Sequence, residues 1–135
     1  FTAEPDAILS EYGFGRAHHR VIYFVGRNPR INVSELLAIL KITKQSLSRV
    51  LGQLVREGFI VQRKGISDRR QRLLELTDVG IKLERQLSES QRQRFADAYR
   101  DAGVEAVQGF RDVLTNMISE DDRQRVFTAR GSEDD

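Results

Sequence analysis

The chain is organised around residues 43–77, which read TKQSLSRVLGQLVREGFIVQRKGISDRRQRLLELT. Thr43 suits an N-cap, because its hydroxyl can accept a hydrogen bond from a free backbone N–H of a first helical turn. Apolar residues follow at the i, i+3, i+4, i+7 spacing of one buried helical face, namely Leu47, Val50, Leu51 and Leu54. Gly58 stands where glycine commonly ends a helix. We therefore predict a short helix whose outer face carries only polar or small side chains.

A basic hairpin is predicted directly after this helix. Residues 59–64 and 71–76 have the character of two strands, and the segment between them, Gly65–Arg70, carries the Gly, Ser and Asp that suit a turn. A second amphipathic helix, capped by Asn32 or Ser34, precedes the first, and Lys41–Thr43 supply the turn between them. Two such helices followed by a hairpin are the layout of a winged helix-turn-helix.

Positive charge is concentrated in the same stretch. From Lys41 to Arg72 the chain has nine Lys or Arg and two Asp or Glu, a net charge of +7. Because the whole chain carries +2, the remainder carries −5. A merely solvated basic face is the plain interpretation of a charge run. The coincidence of helix, hairpin and charge favours a polyanionic partner instead.

The segment ITKQSLSRVLGQLVREGFIVQRKGISDRRQRLLELTDVG resembles the recognition helix and wing of the MarR family of bacterial transcription regulators. Its most specific part is Asp68-x-Arg70 at the wing tip, followed by Leu76-Thr77-x-x-Gly80. The similarity covers residues from about Val33 to Leu83. It implies a mainly α (α+β) fold, a winged helix-turn-helix with a two-stranded wing and terminal dimerisation helices.

The resemblance also implies where DNA would bind. The recognition helix would enter the major groove, where Gln45 and Arg49 are our candidates for base contacts, because Gln pairs bidentately with adenine and Arg with guanine. The other polar residues of this helix are expected to hold phosphates: Thr43, Lys44, Ser46 and Ser48. In the wing, Arg70 matches the family's minor-groove arginine and Asp68 the acid that pairs with it and orients it. Arg63, Lys64 and Arg69 would add contacts to phosphates.

The two ends of the chain suggest a dimer. A short first helix offers Ile8, Leu9 and Tyr12, and a last helix carries a stripe from Val104 to Ile118. Packing within the monomer is the simpler alternative for the last stripe, but little core is left for either end. We therefore expect one winged-helix domain over 1–135, with a DNA-binding lobe at 16–77 and its wing at 59–76. Residues 1–15 and 78–118 would form dimerisation helices, and 119–135 a flexible tail.

A small aromatic or phenolic effector is a further implication of the resemblance. It would sit between the DNA-binding lobe and the dimer helices, and our candidates for its pocket are His18, His19 and Tyr23. The two histidines are the only ones in the chain. Adjacent helical residues point about 100° apart, so they cannot chelate one ion together. The plain interpretation is that one is packed and the other solvated.

Several classes of protein are excluded or disfavoured. The chain has no Cys, which removes disulfides and thiolate metal sites, and it contains no P-loop, GxGxxG or HExxH motif. We expect no enzyme activity, no cofactor and no metal. Its longest apolar runs are too short to span a bilayer. We expect no membrane partner and a cytoplasmic location, although the chain begins at Phe1 and not at Met.

Our interpretation is a sequence-specific, homodimeric transcription regulator, taken as a repressor, that binds double-stranded DNA at a palindromic operator. The sequence itself does not distinguish repression from activation. A winged-helix module for protein contacts would predict a wing without clustered arginines and an apolar outer helical face, and this sequence has the reverse. An architectural DNA-binding module without effector control stays open at this stage.

Overall fold

A computed structural model describes residues 3–118 and 120–122 of the chain. Its elements, in chain order, are α1 (Ala3–Glu11), α2 (Arg16–Arg27), β1 (Ile31–Asn32), α3 (Val33–Leu40), α4 (Lys44–Arg56), β2 (Ile60–Lys64), β3 (Arg72–Leu76), α5 (Asp78–Ala102) and α6 (Val104–Met117). This confirms the predicted mainly helical winged fold. The described residues form two compact units, one ending at Gln91 and one beginning at Arg92, so the division falls inside α5.

The sheet has three antiparallel strands in the order β1-β3-β2. The two wing strands were predicted, and each begins one residue later than expected, at Ile60 and Arg72. The third strand, β1, was not predicted, because two residues are too few to show a strand pattern. It exists because Ile31 pairs with Leu74 on the outer edge of β3.

The core of the first unit lies between α2, α3, α4 and the inner face of the sheet. Its fully buried side chains include Ile22, Leu36, Leu47, Leu54 and Leu74. Helix α1 joins this core, because Leu9 is only 1% exposed and Ile8 packs partly against the same cluster. The expectation that α1 carries an unpartnered apolar stripe is therefore wrong for Leu9. The left-handed Gly13, with φ of 72°, lets the chain turn back so that Phe14 N–H donates to the Leu9 carbonyl.

The second unit is built from the end of α5 and from α6, with Gly103 at φ of 88° between them. No residue of α6 is buried within the described part of the chain. Its large apolar side chains are instead exposed: Val104, Phe110, Val113, Leu114 and Met117. The predicted tail from Ser119 lies almost wholly outside the described residues, so that prediction has no structural counterpart.

Candidate nucleic-acid interface

The outer face of α4 is polar and open to solvent, as predicted. Gln45 and Arg49, the candidates for base contacts, are both exposed, and Lys44 and Ser48 are exposed beside them. Thr43 is the N-cap, since its Oγ1 accepts a hydrogen bond from Ser46 N–H at 3.1 Å. Its own hydroxyl proton is donated to Ser46 Oγ at 2.9 Å. These two hydroxyls therefore hold the start of the helix, a role that was foreseen for Thr43 alone.

Helices α2 and α3 brace the recognition helix. Asn32, and not Ser34, caps α3, because Asn32 Oδ1 accepts from Glu35 N–H at 2.8 Å. At the other end of α3, Lys41 takes a left-handed conformation with φ of 54°, which ends the helix and begins the turn into α4. Arg20 of α2 donates from Nη2 to the Leu40 carbonyl at 3.1 Å, which satisfies a free backbone acceptor at this helix end.

His18 connects α2 to the recognition helix. His18 is 7% exposed, and its ring stacks on Phe14 with the ring centroids 4.7 Å apart. The Gly15 N–H donates to Nδ1 at 3.0 Å, and Nε2 lies 2.8 Å from Gln53 Oε1 on α4. Sequence reasoning missed this contact, because its two ends are far apart in the chain. His18 is thus the packed histidine, while His19 is half-buried, and burial lowers the pKa of His19 against the opposing effect of Glu84 and Asp6.

A small cavity of about 230 Å³ opens between α2, β3 and the start of α5. Its lining residues are Val25, Gly26, Pro29, Glu75, Leu76, Ile81 and Glu84. None of the predicted effector residues lines it. Tyr23 is 37% exposed and instead lies under the Arg27 guanidinium, 4.9 Å from the ring centroid. The assignment of His18, His19 and Tyr23 to an effector pocket stays a prediction.

The wing tip is a tight turn built on Gly65 and Asp68. The Gly65 N–H donates to the Gln71 carbonyl at 3.1 Å, and a side chain at Gly65 would collide with the Asp68 carbonyl oxygen. Asp68 Oδ1 accepts from the backbone N–H of Arg70 at 3.0 Å. No ion pair joins the two side chains among the described residues. Asp68 therefore contacts Arg70 through the main chain in this structure, and the pairing of Asp68 with the Arg70 side chain stays a prediction.

The other wing cations differ in their surroundings. Lys64, Arg69 and Arg70 are exposed. Arg63 is exposed too, but its Nε donates to Glu75 Oε2 on the neighbouring strand at 3.1 Å. Neighbouring strand residues point to opposite faces, so Arg63 and Lys64 leave opposite sides of the ribbon. Because an exposed ion pair contributes little free energy, Arg63 can exchange Glu75 for another anion at low cost.

The Thr77-x-x-Gly80 motif has a structural explanation. Thr77 Oγ1 donates to the Gly58 carbonyl at 2.6 Å and accepts from Gly80 N–H at 3.1 Å. A Cβ at Gly80 would clash with the backbone carbonyl oxygen of Phe59, so only glycine permits this approach. The motif joins the end of α4, the start of β2 and the first turn of α5.

Neither a metal cluster nor a membrane-spanning helix occurs in the described part of the chain. No group of three or more His, Asp or Glu there could hold a metal ion. None of the helices in that part of the chain is long and apolar enough to cross a membrane.

Solved structures of like fold come from winged-helix regulators. The crystal structure of MarR superposes with a TM-score of 0.71 at 22% identity, over 92% of this chain and 84% of that chain. Streptococcus pneumoniae FabT in complex with DNA gives a TM-score of 0.64 at 24% identity, over 75% of this chain and 71% of that one. A MepR variant from S. aureus bound to an oligodeoxyribonucleotide gives 0.62 at 18% identity, over 85% of each chain.

Similarity in sequence indicates the family as well as the fold. The MarR family profile matches residues 12–71. The HTH-type transcriptional regulator PetP of Rhodobacter capsulatus is 52% identical over 118 residues, which are 87% of this chain and 71% of PetP. The chain therefore belongs to the MarR family of winged helix-turn-helix transcription regulators, whose members are DNA-binding proteins and not enzymes.

Proposed function

We propose that this chain is a homodimeric repressor that binds a palindromic operator and responds to a small aromatic or phenolic effector. The observation that carries the DNA-binding part is the exposed polar face of α4, followed directly by the wing, within a segment of net charge +7. Structures of like fold, FabT and the MepR variant, hold DNA, which supports DNA as the partner here.

In the proposed complex α4 enters the major groove. Gln45 and Arg49 read base edges, since their side chains are exposed and suit adenine and guanine. Thr43, Lys44, Ser46 and Ser48 hold phosphates near the helix start. Arg70 reaches the minor groove, and Lys64, Arg69 and Arg63 neutralise phosphates beside it, Arg63 after leaving Glu75.

The proposal of a homodimer is supported mainly by the apolar face of α6. Its apolar side chains are exposed in the single chain, for example Met117 at 77% and Val113 at 59%. A second copy of the same helix would cover them, because a two-fold interface joins identical patches. Helix α1 adds less support than its sequence indicated, since Leu9 lies in the core. A two-fold dimer would present its recognition helices to half-sites about 10 bp apart, or a multiple of that spacing.

A binding selection on randomised duplex DNA tests the operator and the wing together. The wild-type protein should select an imperfect palindrome, with A·T pairs favoured where the wings meet a narrow minor groove. Arg70→Ala should erase this flanking preference and leave the half-site sequence unchanged. Asp68→Ala should weaken the flanking preference to a smaller extent, because it keeps Arg70 and removes only the hydrogen bond that the Arg70 backbone N–H donates to Asp68 Oδ1.

The matched control is Asp101→Ala, which removes an exposed carboxylate from the end of α5. It should select the wild-type site, flanks included. A single non-palindromic site for the wild type would contradict the dimeric arrangement. Flanking preferences that survive Arg70→Ala would contradict the role of the wing.

The effector part has its own test. A ligand that binds only the folded protein raises its melting temperature by mass action. Aromatic carboxylic acids and phenols should include compounds that raise the melting temperature and weaken operator binding. His18, His19 and Tyr23 are the residues proposed to respond. If no such compound did either, the chain would be better described as a DNA-binding module without effector control.

A further inference from the structure

Gln53 lies at the edge of the outer face of α4, one turn after Arg49. Residues four apart on a helix are neighbours on its surface, so Gln53 continues the ridge that begins with Gln45 and Arg49. It was not among the predicted DNA contacts. Unlike those residues it is half-buried, and its side-chain oxygen is 2.8 Å from Nε2 of His18.

The hydrogen bonds of His18 determine its proton position. Nδ1 lies 3.0 Å from Gly15 N–H, which can only donate, so Nδ1 must be the acceptor and carry no proton. A neutral imidazole with a bare Nδ1 carries its proton on Nε2. That proton must be donated to Gln53, and the atom facing it must be the amide oxygen.

The orientation of the Gln53 amide follows from these two hydrogen bonds of His18. Its oxygen faces inward to His18, which is 7% exposed, so its NH2 group points away from the ring. No acceptor for this NH2 group is found among residues 3–118 and 120–122. Gln53 lies one helical turn after Arg49, in the most basic stretch of the chain, where an acceptor on DNA would complete its two N–H donors.

We propose that Gln53 donates a hydrogen bond to a DNA phosphate, and that His18 is the positioning residue that holds its amide in the donating orientation. The inference rests on the proposed DNA-binding function. A neutral amide adds affinity without releasing a counterion, so it contributes nothing to the salt dependence of binding. A phosphate contact also carries no sequence information, so the contribution is the same on any duplex.

The test measures affinity for two duplexes, the consensus selected by the wild type and a scrambled version of it. Gln53→Met keeps the length of the side chain and removes the donor. It should weaken binding to both duplexes by about three- to tenfold, the usual range for one hydrogen bond, with an unchanged salt slope. Gln53→Glu keeps the acceptor for His18 but places a second oxygen towards the phosphate. It should therefore weaken binding more than Gln53→Met while keeping the melting temperature.

The control is Gln86→Glu on an exposed face of α5, which makes the same change of charge away from α4. It should leave both affinities within about twofold of wild type, because Gln86 is exposed on α5 and is not a residue of the recognition helix or the wing. Wild-type affinity in Gln53→Met would overturn the proposal. Failure of the wild type to bind either duplex would overturn the proposed function itself, which is a distinct result.

A second measurement does not depend on the folding of any variant. Long-range ¹⁵N–¹H NMR of the wild type should find His18 protonated at Nε2 and bare at Nδ1. The Gln53 side-chain NH2 signals should shift when the scrambled duplex is added, while those of Gln86 stay unchanged. A His18 proton on Nδ1, or unmoved Gln53 signals, would show that the amide is not held or used in this way.

Discussion

Helices α4 and α6 have similar lengths and similar apolar patterns, but only α4 buries its apolar face within the chain. Helix α4 has 13 residues and buries four of them: Leu47, Val50, Leu51 and Leu54. Helix α6 has 14 residues and buries none. The same i, i+3, i+4 spacing therefore gave a core helix in one place and an exposed apolar face in the other. An amphipathic pattern states that a helix has a face to cover, but not what covers it.

The neighbourhood of each helix in the sequence explains the difference. Helix α4 is preceded by α3 and followed by the hairpin, both of which bring apolar side chains to the same core. Helix α6 follows α5, whose buried residues all lie between Gly80 and Ser88. The later part of α5 is polar or exposed, so α6 has no core element adjacent to it in sequence.

Placing charges on the apolar face of α6 is expected to have the largest effect. The double substitution Phe110→Glu with Leu114→Glu should convert the proposed dimer to a monomer, because four carboxylates cannot be buried without partners. Sedimentation velocity at micromolar concentration measures this. Asn116→Glu, on another side of the same helix, is the control and should leave the dimer intact. A wild type that sediments as a monomer would end the proposal that a second copy covers α6.

A smaller effect separates the two kinds of apolar face. Leu47→Ala should lower the free energy of unfolding by about 2–5 kcal/mol at any protein concentration, since Leu47 is fully buried within its own chain. Leu114→Ala should instead lower stability in a way that grows as the protein is diluted, because Leu114 is 43% exposed in the single chain and the proposed partner would cover it. Chemical denaturation at two concentrations distinguishes them. Equal concentration dependence for both variants would contradict the distinction.

Two glycines, one on α5 and one on α6, differ in how closely other atoms approach them. Gly80→Ala should destabilise the first unit by about 1–3 kcal/mol, because its Cβ meets the rigid Phe59 carbonyl. Gly109→Ala on α6 should stabilise that helix by up to about 1 kcal/mol, since alanine is the better helix former and nothing lies within 4 Å of the added Cβ. Thermal unfolding of both variants measures the two signs. Stabilisation by Gly80→Ala would mean that the junction with β2 is looser than described.

The remaining expected effects are on DNA affinity and not on stability, and they concern the outer face of α4 and the wing. Arg49→Ala should weaken the free energy of binding to the selected site by about 1–3 kcal/mol and reduce the base preference at one position. It should leave the proposed dimer unchanged. Lys64→Ala should weaken binding to all sequences alike and reduce the salt slope by about one. Affinity for selected and scrambled duplexes at several salt concentrations separates the two. If Lys64→Ala changed base preference and Arg49→Ala did not, the two roles would have to be exchanged.

Much of the candidate interface could be predicted from the sequence because it depends on near neighbours. The Thr43 cap, the buried face from Leu47 to Leu54 and the turn at Gly65–Arg70 each involve residues a few positions apart. The exposure of Arg49 and Arg70 follows from the same local periodicities. Local hydrogen bonds and helical or strand periodicity are legible in a sequence, because the chain brings such residues together in any compact fold.

Contacts between residues far apart in the chain are visible only in the folded structure. These are the β1–β3 pairing, the core position of Leu9, the Arg63–Glu75 pair and the His18–Gln53 hydrogen bond across 35 positions. A sequence shows that His18 and Gln53 can bond but not that they meet, since many distant polar residues could serve as partners. The recognition helix, the wing and their charge therefore follow from local patterns in the sequence. The hydrogen bond that holds Gln53 to His18 depends instead on the packing of α2 against α4.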